Sequence, residues 1–202
     1  MLDFAEIQIG REDRTLVTHC GDFQLFLVAD GAGGIGGGAE AADDLLILAA
    51  RYFNNQPEKL SPDLLCDFLM FADNHIYKSP QSGETTAVIV AVQGDSVFSA
   101  SVGDSEAWVI ESNDLCELTE GQVRKPLLGS ASSVPKSLGL MKTTGKLILG
   151  SDGLFKYAKM ADIASIVRTY TPKECIPRLL DLVQFPSGRY PDDVAIIVCD
   201  IN

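Results

Sequence analysis

Three short segments rich in β-branched and aromatic residues, at 4–9, 15–19 and 24–29, follow one another before any helical periodicity begins. Residues 38–53 then read as a helix. A second helix is predicted directly after it, with Ser61 as N-cap and Pro62 at its first position, running to about Lys78. Strand-like runs return at "TTAVIVAV" (85–92), "SVFSASV" (96–102) and "EAWVIES" (106–112); their linkers are short enough for hairpins, so the three read as a meander. "KLILG" (146–150) is a further strand. Residues 160–169 and 172–184 form a second helix pair, the latter opened by Thr171-Pro172, and "VAIIVCDI" (194–201) is the last strand. Strands in runs and helices in pairs point to an α+β fold, with antiparallel sheets covered by helices rather than alternating βαβ units.

That order also decides the meaning of Gly31-x-Gly33-x-x-Gly36, which matches the dinucleotide-binding pattern letter for letter. The nucleotide reading needs a strand after the first helix, with an acidic residue at its end about 20 residues on. A second helix follows instead, and Asp30 would set a carboxylate beside the pyrophosphate. The glycines are better read as a tight turn around an ion held by Asp30.

The 202 residues carry a net charge of −12, which argues against nucleic acid or a membrane surface as partner, since both are polyanions. No apolar run approaches the roughly 18 residues that span a bilayer, and the N-terminus lacks a leader-like pattern. Five widely spaced cysteines without a C-x-x-C read as thiols in a reducing compartment, so a cytoplasmic location is expected. With His19 and His75 the only histidines, a His-rich transition-metal site is not expected.

Four aspartates stand at the ends of apolar strands: Asp30 after "LFLVA", Asp104 after "FSASVG", Asp152 after "LILGS", and Asp192 just before "VAIIV". In a layered fold such ends can meet at one edge of the core, where gathered carboxylates repel unless protonated or bridged by cations. Oxygen donors without histidine favour Mg²⁺ or Mn²⁺ over zinc. Glycine after Asp30 and after Asp152 permits a sharp turn in which a backbone carbonyl can join the coordination.

The ordered set "RED" (11–13), "VADGAGG" (28–34), "SGETTAV" (82–88), "SVGDSEA" (101–107), "LGSDGLF" (149–155) and "DDVAIIV" (192–198) resembles the metal-dependent Ser/Thr protein phosphatase family known as PPM or protein phosphatase 2C, in its bacterial form. The resemblance spans nearly the whole chain and implies one PPM-type domain over 1–202. It implies a four-layer α-β-β-α sandwich of two antiparallel sheets flanked by helix pairs, with a binuclear Mn²⁺ or Mg²⁺ centre at one end. By motif, Asp30 would bridge the two ions, the Gly31 carbonyl would bind one, and Asp152 and Asp192 would complete the second site. Glu12 and Asp13 would hold metal-bound waters, and Asp104 with Asp152 would match a weaker third site. The implied activity is hydrolysis of phosphoserine and phosphothreonine on proteins by a water activated between the metals, reversing a Ser/Thr kinase in bacterial signalling. Ser105, Ser151 and Thr86 are read as structural rather than nucleophilic.

The periphery departs from the family. Gln8 stands where members usually carry a phosphate-gripping arginine; Arg11 and Arg14 are nearby substitutes, although surface solvation suits both. Ile35 replaces a histidine, Glu106 an arginine, and Glu120-Gly121 an Asp-His pair. The segment between Glu111 and Lys146 is short, and "RKPLLGSASSVPKS" (124–137) is either a reduced flap or an ordinary loop. Its Arg124, Lys125 and Lys136 suit a phosphoprotein surface or plain solvation. These changes keep a second reading in view, a catalytically weak or inactive PPM-like binding or regulatory module. A narrower switch-type phosphatase is a third. No residue sets an oligomeric state.

Overall fold

The structure is a computed structural model that describes residues 2–34, 36–54 and 60–201. Ile35, the replacement for the family histidine, lies outside the described residues. The elements are β1 (Phe4–Ile9), β2 (Asp13–Cys20), β3 (Phe23–Asp30), α1 (Gly38–Asn54), α2 (Pro62–Tyr77), β4 (Ala87–Gln93), β5 (Ser96–Val102), β6 (Glu106–Ile110), β7 (Leu115–Glu117), β8 (Lys136–Lys142), β9 (Lys146–Gly150), α3 (Asp152–Phe155), α4 (Met160–Thr169), α5 (Pro172–Val183) and β10 (Val194–Asp200). One sheet has the order β1-β10-β9-β6-β7 and the other β2-β3-β4-β5-β8. Neighbouring strands are antiparallel throughout. Helices α1 and α2 pack on the second sheet, α4 and α5 on the first. The expected α-β-β-α sandwich is the observed architecture.

Alternation along the central strands builds the layers. In β3, Leu25, Leu27 and Ala29 face the α1–α2 layer, while Phe26 and Val28 enter the space between the sheets. In β10, Val194, Ile196 and Val198 face α4 and α5, while Ala195, Ile197 and Cys199 meet the opposite sheet. Both strands are therefore apolar on both faces, as a strand sandwiched between two layers must be. The helix signals act locally as expected: the Ser61 hydroxyl accepts from the Leu64 N–H at 3.2 Å, with Pro62 at the first helical position. At the start of α5 the Glu174 carboxylate accepts from the Thr171 N–H at 3.1 Å. All five cysteines are unpaired thiols. No helix among the described residues is long and apolar enough to cross a membrane.

The structure corrects the meander. β4 and β5 do form a hairpin, but β6 pairs with β7 and β9 in the other sheet. "GDS" is thus a crossover between sheets, made possible by Gly103 at φ +101°, and strand pattern alone cannot tell a hairpin from such a jump. The short stretch between Glu111 and Lys146 also holds two strands, β7 and β8. The exposed, irregular pattern of β8 hid it, as is common at a sheet edge.

Phe26 is fully buried between the sheets and stands edge-on to Phe4, with ring centroids 6.0 Å apart. Phe26→Ala should cost about 3–5 kcal/mol, because rigid strands on both sides cannot close the cavity. Equilibrium urea unfolding would show it as a lower midpoint at unchanged slope; a loss below about 1 kcal/mol would mean the inter-sheet layer is not the closely packed core described.

Candidate metal centre

Antiparallel register brings one end of both sheets together. Asp13, the first residue of β2, lies directly opposite Asp30, the last of β3. The end of β1, the end of β9 and the starts of β6 and β10 meet at the same edge of the other sheet, since Ile9 pairs with Val194 and Gly150 with both Ile196 and Glu106. Asp104 in the β5–β6 crossover, Asp152 after β9, and Asp192 before β10 are thereby brought to that end. Together with Glu12, Asp13, Asp30 and Asp193 they line one cavity of about 620 Å³.

The glycines make this approach possible. A Cβ on Gly31 would lie 2.4 Å from the backbone of Gly38, so the turn after Asp30 packs directly against the first residue of α1. Gly10, at φ +107°, ends the strand before the "RED" turn, and a Cβ there would overlap the Asp193 carboxylate at 2.0 Å. Within the glycine run a Cβ on Gly33 would meet the Glu12 carboxylate at 2.5 Å, so the run packs on protein backbone and on an acid of the "RED" turn.

Hydroxyls and one further aspartate hold the frame. The Asp30 N–H donates to Thr86 Oγ1 at 3.0 Å, and its carbonyl accepts from the Thr86 N–H at 2.8 Å and the Thr85 hydroxyl at 3.0 Å. Thr86 and Ser105 share a hydrogen bond of 2.7 Å. Ser151 and Ala195 exchange two bonds of 3.0 Å, the N–H of each donating to an oxygen of the other. Ser105 and Ser151 are fully buried, so neither presents a nucleophile to the cavity. Asp193 was passed over in the sequence in favour of its neighbour. Its Oδ2 accepts from the N–H groups of Arg11 at 2.6 Å and Glu12 at 2.7 Å, shaping the turn that carries the acids. The doubled aspartate before an apolar strand was the available signal.

Among the described residues the central acids lack compensating positive charge. Asp13 is 3% exposed and its Oδ2 has no hydrogen-bond partner. Burial pushes its carboxyl up to about 7; Ser151 draws it back and the Asp193 charge adds to it. Asp30 is pushed up to about 9, by burial first and then by the charges of Asp13, Asp152 and Asp104. Burial also raises Asp152, opposed by Lys156 and reinforced by Asp192. A buried, orphaned carboxylate oxygen among like charges suits a proton or a hard cation, and the oxygen-only donor set fits Mg²⁺ or Mn²⁺. Among the described residues no three His, Cys, Asp or Glu side chains are already arranged to hold a metal ion. The outer carboxylates instead face internal cations: Arg124 lies 2.6 Å from Asp104, and Lys156 lies 3.5 Å from Asp152 and 4.0 Å from Asp192.

The other candidates lie elsewhere. Arg14 is held by Asp43 at 2.6 and 3.1 Å, and neither it nor the exposed Arg11 lines the cavity. His19 lies near the opposite end of β2 and His75 on the exposed side of α2, so neither reaches the acids. The two cationic side chains that do line the cavity are Arg124 and Lys125. Because Asp30 holds a proton more tightly folded than unfolded, each rise in pH between about 4 and 9 costs the metal-free fold stability. Asp30→Asn should therefore raise the metal-free melting temperature at pH 8 by a few degrees, about 1–2 kcal/mol, because the amide has no proton to lose on unfolding, and leave it unchanged near pH 4. It should at the same time weaken Mn²⁺ binding. Equal shifts at both pH values in a thermal scan would rule out the Asp30 proton as the cause.

No known family's sequence profile matches this chain, and no curated protein matches it in sequence. Solved structures match it over its whole length. An arginine-to-glutamate variant of a bacterial serine phosphatase superposes with a TM-score of 0.88 at 21% identity, covering 100% of this chain and 99% of that one. The serine/threonine phosphatase Stp1 from Staphylococcus aureus gives 0.86 at 21% identity, covering 100% and 96%. The catalytic domain of the serine/threonine protein phosphatase PstP, solved with two manganese ions, gives 0.80 at 19% identity, covering 98% and 97%. The PPM Ser-Thr phosphatase MsPP from Mycobacterium smegmatis gives 0.78 at 22% identity, covering 100% and 99%. At such identities the likeness speaks for architecture, and this chain has the fold of the bacterial PPM Ser/Thr phosphatases.

Proposed function

We propose that residues 1–202 form one metal-dependent Ser/Thr protein phosphatase domain acting on phosphoproteins in cytoplasmic signalling. The observation that carries this reading is the Asp13–Asp30 pair: a buried and a half-buried carboxylate opposed across one register, the buried one with an orphaned oxygen, at the open end of a PPM-type sandwich. Asp30 with the Gly31 carbonyl, Asp152 and Asp192 would hold two divalent ions, Mn²⁺ or Mg²⁺. Asp104 is the candidate for a weaker third, and the manganese pair in the PstP structure supports the type of ion. When bound, such ions supply Lewis acidity that brings the pKa of water from about 15.7 toward 7 and offsets charge on a phosphoryl group.

The chain's own groups do the rest. Glu12 and Asp13, both in the cavity lining, would hold metal-bound water and so orient it. Thr86, Ser105 and Ser151 spend their hydroxyls on the frame, so no covalent phosphoenzyme is required. A second reading, a non-catalytic PPM-like module, draws support from neutral Gln8 and from the internal cations on Asp104 and Asp152.

The deciding measurement is hydrolysis of p-nitrophenyl phosphate with and without Mn²⁺. We expect metal-dependent turnover that falls at least about 100-fold in Asp152→Ala, since loss of a ligand carboxylate removes the charge that holds the ion. A folded wild type that binds fewer than two Mn²⁺ by calorimetry and shows no turnover would establish the module instead.

A further inference from the structure

Among the described residues the cavity is lined by seven carboxylates and two cationic side chains, and those two, Arg124 and Lys125, are adjacent in sequence. A phosphate monoester arriving there needs positive charge on its outer side as well as within. Gln8 cannot supply it: the side chain is neutral, its Oε1 accepts from the Thr15 N–H at 3.3 Å, and it does not line the cavity. We infer that Arg124, seconded by Lys125, is the phosphate anchor of this site. The inference deepens the phosphatase reading and rests on it.

Three sets of contacts make Arg124 more than a surface charge. Its backbone is clamped on both sides. Just before it, the Val123 carbonyl accepts from the Gly103 N–H at 3.1 Å, beside Asp104. Just after it, Leu128 and Thr85 exchange two backbone bonds of 3.0 and 3.1 Å, and Thr85 also bonds the Asp30 carbonyl. The turn from Arg124 to Leu127 is thereby tied to the strand ends that carry Asp104 and Asp30. Leu127 and Leu128, 6% and 0% exposed, seal it from beneath.

The rest of the segment is held from α2. Asp73, 3% exposed, accepts at Oδ1 from the N–H groups of Gly129 at 2.7 Å and Ala131 at 2.9 Å. Its Oδ2 accepts from the Ser133 N–H at 3.0 Å and the Ser133 hydroxyl at 2.8 Å. A buried carboxylate with four donors is a strong tether, so the segment is fixed, with Arg124, Lys125 and Leu127 in the cavity lining.

The side chain is then aimed by Asp104, whose Oδ2 accepts from Arg124 Nη2 at 2.6 Å. An isolated pair with its arginine 75% exposed would contribute little to stability. Its geometric effect is larger: one donor spent on Asp104 orients the plane, and the remaining donors of the fork can meet phosphate oxygens. Asp104 in turn receives a guanidinium where the family resemblance places a weak third cation.

The test uses the Mn²⁺-loaded full chain and inorganic phosphate as the probe. Arg124→Ala, at an exposed position that should fold normally, is expected to weaken phosphate binding by calorimetry about 10- to 100-fold. It should raise the KM for p-nitrophenyl phosphate by a similar factor, and Arg124→Lys should fall between. Mn²⁺ binding should be unchanged or tighter in Arg124→Ala, because Asp104 loses its internal cation. Wild-type phosphate affinity in a Mn²⁺-loaded Arg124→Ala overturns the anchor while leaving the phosphatase reading intact. Lost Mn²⁺ binding in that variant also overturns it, by making Arg124 a support for the metal site. A Mn²⁺-loaded wild type that binds no phosphate overturns both.

Discussion

Two carboxylates facing each other across an antiparallel register, one buried and one half-buried, set the terms for the whole molecule. Moving one ionised carboxylate out of water costs several kcal/mol even after relaxation. A domain of this size has a net stability of about 5–15 kcal/mol. Asp13 and Asp30 cannot both be buried and charged without a proton or a cation between them, and their raised pKa values state the same constraint. The surrounding structure is arranged to tolerate this pair and to keep its geometry fixed.

Tolerance comes from the layers. Three apolar clusters, one on each side of each sheet, make the strand ends rigid enough to hold like charges together. Fixed geometry comes from small polar groups used economically. Thr85, Thr86, Ser105 and Ser151 spend their hydroxyls and N–H groups on backbone near the acids, and Asp193 closes the "RED" turn through two backbone N–H groups. The outer acids are balanced by Arg124 and Lys156, so internal cations neutralise charge at the rim and not at the deepest pair.

The centre and the rim of the cavity are held in different ways. The central acids are held by strand register, which cannot shift without turning core faces outward. Rim residues such as Gln8 and Arg124 carry no such constraint. The loop that carries Arg124 is nonetheless fixed, because the segment after it is bound to Asp73.

The sequence by itself determined the four long helices and eight of the ten strands, because side-chain periodicity is local. It also marked Asp30, Asp104, Asp152 and Asp192 as strand-end acids, and its ordered motifs pointed to the right architecture. The partition of strands between sheets was not legible, since "GDS" reads the same in a hairpin and in a crossover. Nor were the edge strand β8, the turn-forming role of Asp193, or the place of Arg124 over the cavity rather than Arg11 or Arg14. Each of these depends on a partner far along the chain: β6 on β9, Asp193 on the turn after Gly10, and the 124–137 segment on Asp73 of α2. Local pattern states what a segment buries, and only long-range pairing decides what stands beside it.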